Sequence, residues 1–138
     1  MNEPEFFATP GYGDTQLAGL HYNQAVRVGN RIETSGQGGW DDDFAFPETL
    51  DDEIVQAFDN VARTLAQAGA AWSDVISVES YHVLGSAGFE AHNRVMVGQF
   101  RDRMGTRSPI WTELGVAALG HPAMRVEIRV TALITRSA

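Results

Sequence analysis

Between residues 49 and 70 the segment TLDDEIVQAFDNVARTLAQAGA sets Ile54, Phe58, Val61 and Leu65 at intervals of three and four, the spacing that aligns side chains along one face of a helix. Thr49 supplies an N-cap oxygen, Asp51, Asp52 and Glu53 place negative charge near the positive end of the helix dipole, and Gly69 provides a stop. A different period governs residues 123–134. There Met124, Val126, Ile128, Val130, Ala132 and Ile134 alternate with Arg125, Glu127, Arg129, Thr131 and Leu133, which predicts a strand with one buried face. The run DVISVESYHV (74–83), rich in β-branched and aromatic residues, predicts another strand. Residues 86–105 predict a second helix, capped near Ser86, closed at Gly105 and burying Phe89, Val95, Met96 and Phe100; a further strand is expected around 107–117. Earlier in the chain, NQAVRVGNRIETSG (23–36) flanks Gly29-Asn30 with two short runs, a two-residue hairpin signal. Val26 and Val28 are expected to share a face with Ile32 and Thr34, leaving Arg27, Arg31, Glu33 and Ser35 on the other. TPGYGDTQ (9–16) reads as a polar lead-in, and GQGGWDDDFAFPE (36–48) as a glycine-rich acidic loop. The resulting order β-β-α-β-α-β-β predicts an α+β domain in which two helices cover one face of a mixed sheet. The other face is left to solvent or to a partner.

Composition narrows the function classes. The 138 residues fit one domain, 1–138, and no apolar run approaches the length of a membrane helix, so no membrane partner is expected. The opening MNEPEFF lacks the features of a secretory or transit segment, so a cytoplasmic location is expected. With no cysteine, thiolate nucleophiles, disulfides and thiolate metal sites are excluded. Ten positive side chains against 18 negative ones give a net charge of −8, which repels phosphate backbones; no nucleic-acid partner is expected. All ten are arginines, so Schiff-base chemistry through a lysine is excluded as well. His21, His82, His92 and His121 show no metal-ligand spacing, and Asp41, Asp42 and Asp43 lack the alternation of a calcium loop. No metal and no cofactor are expected.

One fixed cation stands out in this acidic chain. Arg107, within TRSPIW (106–111), offers a planar fork of donors that matches a carboxylate and stays charged at any working pH. It also has a purely structural reading, and so does Glu127. Arg107 can be an ordinary surface arginine, and Glu127 can belong to an ion-pair ladder with Arg125 and Arg129, which would favour its ionised form.

The chain resembles the RidA (YjgF/YER057c/UK114) family. The resemblance rests on YNQAV (22–26) for the family's Y-S-Q-A-V, SGQ (35–37) after the hairpin, HNRVM (92–96) for F-N-x-V-Y, TRSP (106–109) for the A-R-S segment, and RVEIRVTA (125–132) for the V-E-I-E-x-x-A close. It implies a chorismate-mutase-like (YjgF-like) fold, a homotrimer with sites between subunits, and hydrolysis of reactive enamine/imine intermediates such as 2-aminoacrylate to a 2-keto acid and ammonia. Carried over by position, it implies Arg107 as the clamp on the substrate carboxylate and Glu127 as the residue handling water. Tyr22, Ser35 and Asn93 become pocket residues, and Gly36 brings backbone close to the ligand. Three departures bear on the substrate. Pro109 offers only its carbonyl, and Asn23 replaces the serine after Tyr22. The segment 110–124 is longer, so that Trp111 or the GHPAM turn would reshape the pocket. A deaminase or tautomerase of a dedicated pathway and a non-enzymatic trimeric binding protein are the alternatives on the same scaffold. RNA cleavage, attributed to some relatives, is disfavoured by the charge.

Overall fold

The computed structural model describes residues 3–135. A seven-stranded mixed sheet runs in the order β1 (Glu5–Phe7), β2 (Ala25–Val28), β3 (Arg31–Thr34), β7 (Val126–Leu133), β5 (Val75–His82) and β6 (Ile110–Gly115), with the short β4 (Gln37–Gly38) also paired to β7. Only β5 and β6 pair in parallel, across the crossover helix α3 (Gly88–Met104). The remaining helices are α1 (Tyr12–Leu20) and α2 (Leu50–Gln67).

α2 forms as its sequence dictates. The Thr49 side chain accepts from the Asp52 amide at 3.1 Å. Gly69, at φ +85, terminates the helix in a conformation that other residues resist. Ile54, Phe58, Val61 and Leu65 are fully buried against Val126, Ile128, Val130 and Ala132 of β7, each such side chain contributing about 1.5–3 kcal/mol. Val95 and Met96 of α3 join this core; Phe89 does not, and lies 41% exposed near the start of its helix. Ser86 falls in the turn ahead of α3, whose N-cap is Ala87 with no side-chain bond.

The hairpin forms at Gly29-Asn30, but its faces differ from the expectation. A two-residue turn pairs Val28 with Arg31 and Val26 with Glu33, so even positions on β2 meet odd positions on β3. Val26 and Val28 therefore share the helix-free face with Arg31 and Glu33, while Ala25 and Arg27 join Ile32 and Thr34. Arg27 uses its position to donate to the carbonyl of Ala68 at 2.8 Å, closing the end of α2.

β1, α1 and β4 are additions to the expected order. α1 buries Tyr12, Gly13 and Gln16, a face with little apolar content, which is why hydrophobic periodicity does not announce it. Its Tyr12 packs with Trp40 and Met124 into a second, smaller core that Phe44, Phe46 and Leu119 support. The acidic loop thus turns its aromatic residues inward and leaves Asp41, Asp42 and Asp43 exposed.

Candidate functional site

The two glutamine-bearing motifs meet behind the site. Tyr12 Oη donates to Gln37 Oε1, Gln37 Nε2 to Gln24 Oε1, and Gln24 Nε2 to Gln16 Oε1, each at 2.7 Å. All four residues are buried. This neutral chain satisfies its own donors and acceptors without a charge, and it ties α1, β4 and the residue before β2 into one unit. Tyr22 lies beside it, close to the Gln24 and Gln16 amides; burial raises the phenol pKa, and the nearby Glu127 carboxylate adds to the rise.

Glu127 sits on β7 opposite Gly38 of β4 and Tyr81 of β5, on the face away from α2 and α3. A Cβ on Gly36 would come within 2.5 Å of the Glu127 Cδ, so only glycine at 36 leaves room for this carboxylate. The carboxyl group opens on a cavity of about 380 Å³ whose walls include Tyr22, Trp40, Phe44, Phe46 and Met124. Gly120 and His121 of the GHPAM turn complete one side, so that turn does shape the cavity. Burial pushes the Glu127 pKa above the ordinary carboxylate range. The arginine ladder does not form. Arg125 bonds Glu53 instead, at 2.6 Å between Nε and Oε1, and Arg129 lies 4.0 Å from both Glu33 and Glu79. Glu127 is thus biased toward its protonated form by desolvation, the reverse of what flanking arginines would do.

The other expected site residues divide into groups. Ser35 borders a neighbouring hollow of about 360 Å³ that Tyr22 and Arg129 also line, and its hydroxyl donates to the Gln24 carbonyl at 3.2 Å. Arg107 lies in the turn after α3 rather than at the start of a strand. It is exposed, and its Nη1 donates to the Ser73 carbonyl at 3.1 Å. With Pro109, Trp111 and Phe100 it lines a separate hollow of about 260 Å³. Within one chain, then, Tyr22, Gly36 and Glu127 come together, and Arg107 does not join them.

Asn93 belongs to a third group. With its amide oriented to suit its neighbours it donates to Glu113 Oε1 at 2.8 Å. Glu113 in turn approaches His82 Nε2 at 3.2 Å, and that nitrogen also contacts Ser80 Oγ at 2.8 Å. The Nδ1 atoms of His82 and His92 share one hydrogen bond of 2.8 Å, which requires one ring to donate and the other to accept. A carboxylate so close would ordinarily favour the imidazolium. Burial and the second imidazole outweigh it here, lowering the His82 pKa to about 4, while burial raises that of Glu113. Trp111 Nε1 donates to the same Ser80 oxygen at 2.9 Å, and its ring stands on Phe100, which fixes it between α3 and the sheet.

Reasoning from sequence passed over Gln16, Trp40, Phe44, Phe46 and Met124. The available signal was three aromatic residues in an acidic loop of thirteen, more apolar surface than a solvated loop carries.

Comparison with known proteins follows the same outline. The sequence model of a family described as Endoribonuclease L-PSP matches residues 14–134. The chain is 33% identical over 121 residues to the RutC family protein YjgH of Escherichia coli (strain K12), covering 82% of each chain. It is 36% identical over 115 residues to a 2-iminobutanoate/2-iminopropanoate deaminase of Dermatophagoides farinae, covering 82% of this chain and 85% of that one. The solved structure of a protein YJGH superposes with a TM-score of 0.79 at 28% identity over 96% of both chains. Rv2704 of Mycobacterium tuberculosis, a YjgF/YER057c/UK114 family member, shares the fold at a TM-score of 0.77 and 21% identity, over 96% of this chain and 100% of that one.

Proposed function

This chain belongs to the Endoribonuclease L-PSP family, that of YjgF and RidA, and on that premise we propose that it hydrolyses the C=N bond of small imines. Imines derived from 2-amino acids are the substrates that the curated deaminase relative suggests. The observation that carries this reading is Glu127, a carboxylate without a cation partner among the described residues, at the wall of an apolar cavity and next to the Tyr22 hydroxyl.

Hydrolysis of a protonated imine needs neither a metal nor a covalent intermediate. Water adds to the carbon, one of its protons passes to Glu127 as the C–O bond forms, and a carbinolamine results. Glu127 then returns that proton to the nitrogen, the C–N bond breaks as the hydroxyl gives up its own proton, and a carbonyl and ammonium leave. One water is consumed and the carboxylate ends as it began. An enamine enters the same sequence after a proton adds to its terminal carbon. Holding water against the carbon supplies much of the rate by removing its freedom of orientation. A desolvated carboxylate holds a proton more firmly than one in water, which suits the first transfer, from water to Glu127.

Arg107 retains its assigned task as carboxylate clamp if the site is completed between copies. Ile110 and Leu114 of β6 lie 73% and 48% exposed on the Glu127 face of the sheet, at its edge, and an apolar edge of this kind favours association. We assign the uncovered face to a homotrimer, in which Arg107 of one copy reaches the Glu127 cavity of another. Light scattering should then give three chains per particle. The activity test is keto-acid release from 2-aminoacrylate by wild type and Arg107→Ala. Acceleration by wild type that is lost in the variant supports the clamp; equal acceleration removes Arg107 from the site, and no acceleration by either removes the reaction.

A further inference from the structure

We infer that the cavity beside Glu127 receives a large aromatic substituent on the imine carbon, so that imines of aromatic 2-amino acids are preferred over those of alanine size. The inference rests on the imine-hydrolysis reading for its reaction, and on three separate observations for its choice of substrate. The first is size. About 380 Å³ lies in the range of clefts that enclose ligands of drug size, well beyond what a methyl or ethyl side chain fills.

The second is the cost at which the walls are built. Trp40 is 4% exposed, and its indole Nε1 is the one buried side-chain donor left without an acceptor among the described residues. Packing alone would be served by phenylalanine, which carries no N–H to strand. Gly38 accommodates the same ring, since a Cβ there would come within 2.5 Å of Trp40 Cζ3.

The third concerns Phe44, a bulky residue held at φ +58, where side chains are rarely found. Asp41 enforces this conformation: its Oδ1 accepts from the amides of Asp43 at 2.8 Å and Ala45 at 2.9 Å, and its carbonyl accepts from Phe44 at 3.1 Å. The outcome is a Phe44 ring tilted against Trp40 with centroids 5.9 Å apart, next to Tyr12 in an edge arrangement on Trp40 at 5.6 Å. Strained backbone and an orphan donor converge on one aromatic wall. Such a wall offers edges and faces to a further ring, a geometry worth more than its area alone.

Calorimetric titration of the wild type with phenylpyruvate and with pyruvate, the products expected from the two imine classes, reads the cavity without requiring turnover. Phenylpyruvate should bind about tenfold or more tightly. Equal or weaker binding overturns the inference. Gly19 of α1 lines the cavity, and a Cβ there meets nothing within 4 Å, so Gly19→Phe fills the space from an open position. It should erase the preference, as should Phe44→Ala by removing part of the wall; a preference unchanged in both variants overturns the assignment to this cavity. Imines generated in situ from phenylalanine and alanine by an amino-acid oxidase then test the reaction. Faster hydrolysis of the phenylalanine-derived imine supports both claims. Faster hydrolysis of the alanine-derived one sinks the inference and spares the reaction. A phenylpyruvate preference with no turnover on either imine upholds the cavity assignment and overturns the reaction.

Discussion

Glu53 and Glu127 meet β7 at the same end, one reaching it from α2 and the other carried on the strand, and their surroundings differ in what balances the charge. Glu53 is fully buried, and its two oxygens receive the Arg125 backbone amide at 2.7 Å and the Arg125 Nε at 2.6 Å. Arg125 also donates to the carbonyls of Pro47 and Glu48, each at 3.2 Å, so this pair staples α2, the acidic loop and the start of β7 together. Two residues further on, Glu127 has no such partner among the described residues, and its proton affinity rises with burial. A buried carboxylate matched by a guanidinium is held in position and ties elements together. One left in an apolar wall with a raised pKa is the kind of group that functional sites use.

Removing the charge of Glu127 breaks the comparison most severely. Glu127→Gln should lower kcat/KM for imine hydrolysis by about 10²–10⁴-fold while leaving the melting temperature unchanged or higher. The sign follows from linkage. A carboxylate whose folded pKa is raised costs stability once pH passes its unfolded value, and the amide carries no such cost. Glu53→Gln should do the opposite, leaving Arg125 without its counter-charge and costing about 3–5 kcal/mol in denaturant unfolding. A stable Glu53→Gln protein would mean that pairing is not what separates the two sites. Gly36→Ala tests position rather than charge: overpacking against the Glu127 Cδ should cost about 1–3 kcal/mol and reduce turnover, although every charged group is retained.

The buried imidazole pair gives a quieter version of the same lesson. His82, with its pKa lowered to about 4, is neutral in the fold and protonates more readily once unfolded. Its contribution to stability is complete above about pH 6.5 and is lost as pH falls from there toward about 4. Unfolding midpoints measured across that window should decline in the wild type, and decline less in His82→Gln.

What could be read from the sequence tracks where apolar pattern and local chemistry agree. α2 and β7 carry clean periods of their own kinds, and they form the core as expected. α1 escaped because it buries glutamine and glycine and satisfies them through the Gln16–Gln24–Gln37 chain, a device with no hydrophobic signature. The hairpin was placed correctly and faced wrongly, since the turn length, not the apolar residues, sets which positions oppose each other. At the site, Tyr22, Gly36 and Glu127 were reached through motif resemblance. The aromatic wall was not, because Trp40 and Phe44 are turned inward by bonds from a loop whose charges suggest water. The arginines two residues to either side of Glu127 take other partners. Spacing on a strand shows which residues share a face but not which partner each will take.

The pH dependence of kcat/KM on a single imine substrate, in wild type and Glu127→Gln, tests the role of the unpaired carboxylate most directly. The wild type should show a limb that rises with pH through a pKa above the ordinary carboxylate range, and the variant should lack that limb. Superimposable profiles of equal height in the two proteins would contradict the account.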